Sequence, residues 1–92
     1  MRFEWDEKKD AANREKHGLA FDLAKEAFFD AQRITTADDA HSSEEEQRYF
    51  CFGRIKDKIA TVRFTLREGN VRILGAGYWR KGKRFYEEKN GH

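Results

Sequence analysis

Basic and aromatic side chains are interleaved through the last third of the chain. Arginine guanidinium groups match the oxygens of phosphate groups, and flat rings stack on unpaired bases, so this combination suits single-stranded RNA. The alternative is a strand face followed by a solvated tail, in which Trp79 closes the core. The residues of the set are Arg63, Arg67, Arg72, Tyr78, Trp79, Arg80, Lys81, Lys83, Arg84 and Tyr86.

Cleavage of RNA without a metal ion makes three chemical demands. The 2′-hydroxyl must lose a proton, the charge on the phosphate must be neutralised, and the leaving oxygen must be protonated or shielded. Arginines on a rigid strand can meet the second demand, and Tyr, His or Lys can meet the others. The spacing of these residues does not by itself establish such a set.

The histidines and the cysteine offer little other chemistry. His17 ends a predicted helix, where the dipole favours a protonated imidazole, and we favour a capping or packing role over catalysis. His41, Glu44 and Glu45 could supply three metal ligands in one loop, but no fourth ligand is identified. Cys51 stands alone between two phenylalanines and is predicted to be a buried, inert thiol. We therefore expect no metal site and no cofactor.

Length and charge distribution narrow the class of protein. The 92 residues allow one domain, residues 1–92, and an aromatic content of 14% supplies the apolar bulk that disordered chains lack. Residues 1–47 carry a net charge of −6 and residues 48–92 a net charge of +8. A basic half of this kind favours a polyanion-binding surface.

No segment indicates a membrane or a secretory pathway. The chain has no apolar run of about 18 residues, and its start has no apolar stretch of signal-peptide length. We expect a cytoplasmic protein.

The predicted elements follow the order β-α-α-β-β-β, with a basic C-terminal helix or tail. Asp6 can cap a helix over Glu7–His17 that Gly18 ends, and an apolar stripe predicts a second helix over residues 21–29. Strands are predicted over residues 3–5, 49–52, 59–67 and 71–75, residues 33–36 are a further strand candidate, and a basic helix is predicted over residues 80–89. The two helices cover one sheet face, and the other is expected to be open, lined by Arg63, Thr65 and Arg67.

An ordered set of short motifs along nearly the whole chain resembles the BrnT toxin family. These motifs are Phe3-Glu4-Trp5-Asp6, Lys16-His17-Gly18, Phe21, Phe28-Phe29-Asp30, His41-Ser42, Glu45-Glu46 with Arg48, Val71-Arg72-Ile73 and Tyr86-Glu87-Glu88. The resemblance implies an α+β, RelE-like fold with an antiparallel sheet of three to four strands. It also implies a bacterial type II toxin that cleaves RNA and halts translation, and a ribbon–helix–helix (BrnA-like) antitoxin. Operator DNA would be bound only through the toxin–antitoxin complex.

The leading hypothesis is a metal-independent endoribonuclease. Arg63 and Arg72 are assigned to phosphate charge, Arg80 and Lys81 to RNA positioning, and Tyr78 or Tyr86 to base stacking or proton handling. The candidate catalytic residues are Arg63, Arg72, Arg80 and Tyr86, and the candidate nucleic-acid-binding residues are Arg67, Tyr78, Lys81, Lys83 and Arg84.

One position departs from the family pattern. Many members continue after the last strand with Ser-Ala-Arg, whereas this chain reads Gly75-Ala76-Gly77 and next has arginine at Arg80. Two alternatives to an active ribonuclease remain open, and the first of them follows from this departure. One is a catalytically weakened module that binds the antitoxin, and the other is a RelE-fold toxin that poisons a topoisomerase.

Overall fold

The computed structural model describes residues 1–91 and has an α+β architecture. Its strands are β1 (Phe3–Glu4), β2 (Ile34–Ala37), β3 (Arg48–Ile55), β4 (Lys58–Arg67) and β5 (Asn70–Gly77). Its helices are α1 (Glu7–His17), α2 (Phe21–Ala24) and α3 (Arg80–Lys89), with 3₁₀ segments at Lys25–Phe29 and Asp39–His41. None of the helices within residues 1–91 has the length and apolar character needed to cross a bilayer.

All five strands form one mixed sheet in the order β1-β5-β4-β3-β2. The pairs β2–β3, β3–β4 and β4–β5 are antiparallel. The pair β1–β5 is parallel, with Phe3 opposite Val71. The expected α+β class is therefore confirmed, and β1 joins the four antiparallel strands as a fifth strand of the sheet. Phe3 holds β1 at this edge, because its ring packs edge-on against Phe28 in the core, with centroids 5.2 Å apart.

Local signals account for α1. The Asp6 carboxylate accepts hydrogen bonds from the backbone N–H groups of Lys8 (2.8 Å) and Lys9 (3.3 Å), and Gly18 ends the helix with φ +68°. Within α1 only Asp10 is buried, and it accepts a hydrogen bond from the backbone N–H of Phe21 at 2.9 Å. The solvated helix is thus joined to the start of α2.

The second predicted helix changes its winding halfway. Only Phe21–Ala24 is α-helical, and Lys25–Phe29 continues as a 3₁₀ segment. The backbone carbonyl of Ala27 lies so close to Gly53 of β3 that a Cβ atom at Gly53 would overlap it. The tighter segment buries Ala27 and Phe28 against the sheet, so packing with β3 overrides the expected regular helix.

The two faces of the sheet are covered to different extents. The first face carries the core side chains, including Cys51, Val62 and Phe64, beneath α2 and the 3₁₀ segment. The second face was expected to be open, and this is wrong for one end of it. There α3 packs on the sheet, with Phe85 against Phe52 at a centroid distance of 4.9 Å.

Candidate nucleic-acid interface

The positively charged side chain of Arg63 lies on the part of the second face that α3 leaves uncovered. Its neighbours across the ladder are Phe50 on β3 and Gly75 on β5. A Cβ atom at Gly75 would lie 3.9 Å from the Arg63 guanidinium, so that group extends over Gly75 at van der Waals distance. Within residues 1–91, Arg63 forms no ion pair, and its buried Nε has no hydrogen-bond partner. Half-buried guanidinium groups are normally paired, so an anionic ligand is the natural partner here.

Helix α1 brings further cations to Arg63. Lys9, Lys16 and His17 recur at i, i+7 and i+8, which places them on one face of the helix. With Arg63 they line a cavity of about 340 Å³, which we call the cationic cleft. No carboxylate is among its lining residues, so its positive charge is not balanced locally.

Trp79 closes one side of the cationic cleft. Its indole lies directly on Gly77, where a Cβ atom would be only 2.6 Å from the ring. The His17 ring meets the indole edge-on, with centroids 5.1 Å apart and planes at 78°. The imidazole is therefore held at the cleft by an aromatic contact at the end of α1.

The sequence was also compared with known protein families. Residues 5–82 match the sequence pattern of the family described as "ribonuclease toxin, BrnT, of type II toxin-antitoxin system". The chain belongs to the BrnT family. The resemblance seen in the sequence is thereby confirmed. The comparison with curated proteins finds no match.

Two further arginines of β4 and β5 in this BrnT chain, Arg67 and Arg72, are neutralised by glutamates. Arg72 donates to Glu4 Oε2 on β1 at 2.8 Å, and this hydrogen bond lowers the pKa of Glu4. Arg67 Nη2 lies 3.5 Å from Glu46 Oε2. The other oxygen of this carboxylate, Oε1, accepts a hydrogen bond from Arg48 Nε at 2.8 Å. Of the expected lining residues, Thr65 is buried and donates to a backbone carbonyl. Among residues 1–91, Arg63 is therefore the one arginine of β4 and β5 that has no ionic partner.

The tyrosines of the BrnT chain lie away from the cationic cleft. Tyr86 is fully buried, and its hydroxyl donates to Asp30 at 2.6 Å. Burial is the main cause that raises the pKa of Tyr86, and the hydrogen bond to Asp30 adds to it. Tyr78 is half-buried beneath Lys58, whose Nζ lies 5.0 Å from the ring centroid. Tyr86 thus anchors α3 to the chain after the 3₁₀ segment.

The basic residues of α3 divide between two further surfaces. Arg80 and Lys83 line a cleft of about 480 Å³ together with Tyr78 and Trp79. Lys81 lines an apolar groove on the second face, and Arg84 is exposed. Trp79 borders both of these surfaces and the cationic cleft, so the three are contiguous around one indole.

Sequence reasoning did not select the lysines of the cationic cleft. The signal was present, because Lys9, Lys16 and His17 recur on one helical face, but these residues lie outside the more basic C-terminal half of the chain. The loop histidine has a different role, because His41 Nδ1 lies 2.9 Å from the buried carboxylate of Asp38. In the described part of the chain, no three His, Cys, Asp or Glu side chains converge as a metal site.

Proposed function

We propose that the cationic cleft is the active site of a metal-independent endoribonuclease that cleaves single-stranded RNA and halts translation. The observation that carries the proposal is the Arg63 guanidinium, which has no ionic partner within residues 1–91 and shares the cleft with Lys9, Lys16 and His17. The BrnT family is one of ribonuclease toxins, and membership implies an RNA target and an antitoxin partner. A RelE-like fold is part of the same proposal, supported by the packing of helices on an antiparallel sheet.

The chemistry we propose is attack by the RNA's own 2′-hydroxyl. Its proton leaves to a base as the oxygen bonds to phosphorus, and the bond to the 5′-oxygen breaks as that oxygen gains a proton. The products are a 2′,3′-cyclic phosphate and a 5′-hydroxyl. Arg63 and the two lysines stabilise the charge that develops on the phosphate oxygens. The sequence alone favours capping or packing for His17, but because His17 lines the cleft with Arg63 we assign the transfer of the protons to it.

The contacts of the candidate residues in the structure change the roles that we propose for them. Arg63 remains the proposed catalytic arginine, and Lys81 remains a proposed RNA contact. Arg80, Lys83 and Arg84 are proposed to follow the RNA backbone beyond Trp79, and Arg67 is a peripheral contact because Glu46 already pairs with it. Arg72 and Tyr86 are given no direct role, since Glu4 neutralises the first and the second is buried. Tyr78 is proposed only as a wall of the neighbouring cleft.

The partners are proposed from the resemblance alone. The antitoxin is a ribbon–helix–helix protein, and operator DNA is bound only through the complex. The toxin acts in the cytoplasm, where translated RNA is found. Co-purification of the toxin with the product of a neighbouring gene tests the partner independently of RNA cleavage.

The deciding experiment is incubation of the purified protein with a defined RNA in excess chelator. We expect cleavage with cyclic phosphate ends, and a loss of about 100-fold or more in Arg63→Ala, because preorganised charge contacts contribute on this scale. Arg33→Ala removes an exposed arginine elsewhere and should cleave like the wild type. Full activity of Arg63→Ala would refute the assignment.

Expression without the antitoxin separates the alternatives. Growth arrest with cut RNA supports the proposal. A harmless protein that still captures the antitoxin indicates the weakened module, and DNA damage with intact RNA indicates a topoisomerase poison.

A further inference from the structure

An apolar groove lies next to the cationic cleft on the second face of the sheet. It has a volume of about 400 Å³, within the range of small-ligand sites. We call it the aromatic groove. Its lining residues are Phe50, Phe52, Thr61, Trp79, Lys81, Gly82 and Phe85.

Gly82 explains why α3 shapes the groove instead of filling it. A Cβ atom at Gly82 would collide with Thr61 Oγ1 and lie 3.2 Å from the Phe52 ring. The helix therefore rests directly on the sheet at this point. Phe85, one turn further along, meets Phe52 with centroids 4.9 Å apart, and Phe52 in turn meets Phe50 at 5.7 Å.

The rings in the groove keep accessible surface. Phe50, Phe52, Trp79 and Phe85 are all half-buried, in contrast to the buried core aromatics of the first face. The three phenylalanines contact one another, and Trp79 is held by His17 and Gly77, so a flat ligand would stack on rings that are already ordered. Preorganisation of this kind reduces the entropy lost on binding.

The groove and the cationic cleft are directly connected. Phe50 is the cross-strand partner of Arg63, and side chains at paired positions are neighbours on the same face. Trp79 lines both surfaces, and Lys81 adds a cation at the groove. A ligand that joins a flat apolar ring to an anionic backbone would therefore occupy both.

We propose that the aromatic groove binds one unpaired nucleobase of the RNA, beside the phosphate held at Arg63. This inference rests on the proposed function and adds a base-binding subsite to it. The flanking cations favour a nucleic acid over a protein segment, because an apolar peptide would gain nothing from them. Since duplex RNA keeps its bases stacked, the subsite restricts the enzyme to single strands.

The test measures the affinity of a short 2′-O-methyl RNA strand, which cannot be cleaved. Phe85→Leu keeps an apolar contact with Phe52 but removes a stacking ring, and we expect affinity to fall about 10-fold. Phe50→Ala should act in the same direction. Phe29→Ala removes a ring that is 68% exposed outside the groove, and its affinity should equal that of the wild type. Each variant is first checked for wild-type circular dichroism and thermal unfolding.

A second measurement uses a set of 2′-O-methyl RNAs, each of which lacks the base at one position. Its result cannot be produced by a change in protein folding. Removal of the base at one position of the RNA should weaken binding to the wild type about 10-fold. The same removal should have little effect on binding to Phe85→Leu. If Arg63→Ala loses affinity while both phenylalanine variants and the set of RNAs show no change, the nucleobase subsite is refuted and the proposed function survives. If the wild type binds no RNA, the proposed function itself fails. Loss of antitoxin binding with unchanged RNA affinity would reassign the groove to the protein partner and refute the inference.

Discussion

The side chain of Asn13 on α1 pairs with the backbone of Ala76 on β5 as another strand would. Its Nδ2 donates to the Ala76 carbonyl at 2.9 Å, and its Oδ1 accepts from the Ala76 N–H at 3.1 Å. Strand β1 pairs with β5 only as far as Arg72, so Asn13 satisfies the edge beyond it. Nδ2 also donates to the Leu19 carbonyl at 2.9 Å. One amide therefore sets the position of the cationic face of α1 against Arg63.

Asn13→Ala should destabilise the protein and separate α1 from β5. The variant loses three hydrogen bonds and leaves backbone groups of Ala76 without partners, at a cost of about 2–3 kcal/mol in the free energy of unfolding. RNA cleavage should fall further than the folded fraction does, because the lysines are no longer held beside Arg63. Denaturant unfolding and cleavage assays measure the two effects. Gln32→Ala, which truncates an exposed amide, should change neither, and equal behaviour of the two variants would contradict the role of Asn13.

Gly77→Ala should disturb the cationic cleft through Trp79. A Cβ atom 2.6 Å from the indole forces the ring to move, at a cost of about 1–3 kcal/mol. The displaced ring would no longer support His17, so we expect lower thermal stability, altered tryptophan fluorescence and weaker RNA cleavage. The same reasoning predicts that Gly77→Arg, which introduces the arginine that the family resemblance leads us to expect there, does not raise activity.

Gly75→Ala is the matched control in the same strand. Its Cβ atom would lie 3.8 Å from Asn13 and 3.9 Å from Arg63, which is ordinary van der Waals contact. We expect near-wild-type stability and fluorescence. Equal losses in the two alanine variants would show that the contact with Trp79 is not the cause.

The parts of the fold that could be predicted from sequence are those with local causes. Helix α1 carries both of its end signals within its own segment, at Asp6 and Gly18. The hairpin between β4 and β5 turns at Glu68 and Gly69, both with positive φ, between strands of clear alternation. These features can be predicted without knowing which distant residues pack against them.

The remaining features depend on residues far apart in the chain. Gly82 lowers helix propensity locally, yet its missing side chain is what lets α3 rest on Thr61. Arg72 is neutralised by Glu4, and that pairing exists only because β1 joins the sheet parallel to β5. The aromatic groove and the compensation of the arginines are therefore tertiary properties that a strand-by-strand interpretation could not supply.

Glu4→Gln should make a second arginine available on the sheet. Arg72 now donates to the Glu4 carboxylate at 2.8 Å, and the register places it on the same face as Arg63. Without the carboxylate charge, Arg72 is free to bind phosphate, so affinity for non-cleavable RNA should rise several-fold. The slope of log affinity against log salt should steepen by about 0.7, the value for one more phosphate contact on a single strand.

Glu44→Gln controls for the change in net charge, because Glu44 is exposed and forms no ion pair within residues 1–91. A similar rise in affinity for both variants would mean that net charge, and not the release of Arg72, is responsible.

Tyr86→Phe should lower stability in a pH-dependent manner through Asp30. Burial alone would raise the pKa of Asp30, but hydrogen bonds from the Tyr86 hydroxyl and from the backbone N–H groups of Gln32 and Arg54 outweigh it, so the pKa is lowered. A carboxyl whose folded pKa is depressed stabilises the fold above its unfolded pKa, and this contribution is lost as pH falls through the folded pKa. The free energy of unfolding of the variant should be about 1–2 kcal/mol lower near neutral pH, and it should fall less steeply as the pH is lowered.

Urea unfolding of wild type and Tyr86→Phe across a pH series from neutral to acid measures this difference directly. The two stability curves should converge as Asp30 becomes protonated, and parallel curves would contradict the link between the two residues. Tyr49→Phe is the control, because its hydroxyl forms no side-chain hydrogen bond among the described residues and its ring stacks on Phe64 at 5.3 Å. Since Tyr86 is fully buried, the folded Tyr86→Phe variant should still cleave RNA at close to the wild-type rate. A large loss of cleavage in fully folded protein would instead assign the hydroxyl to proton transfer.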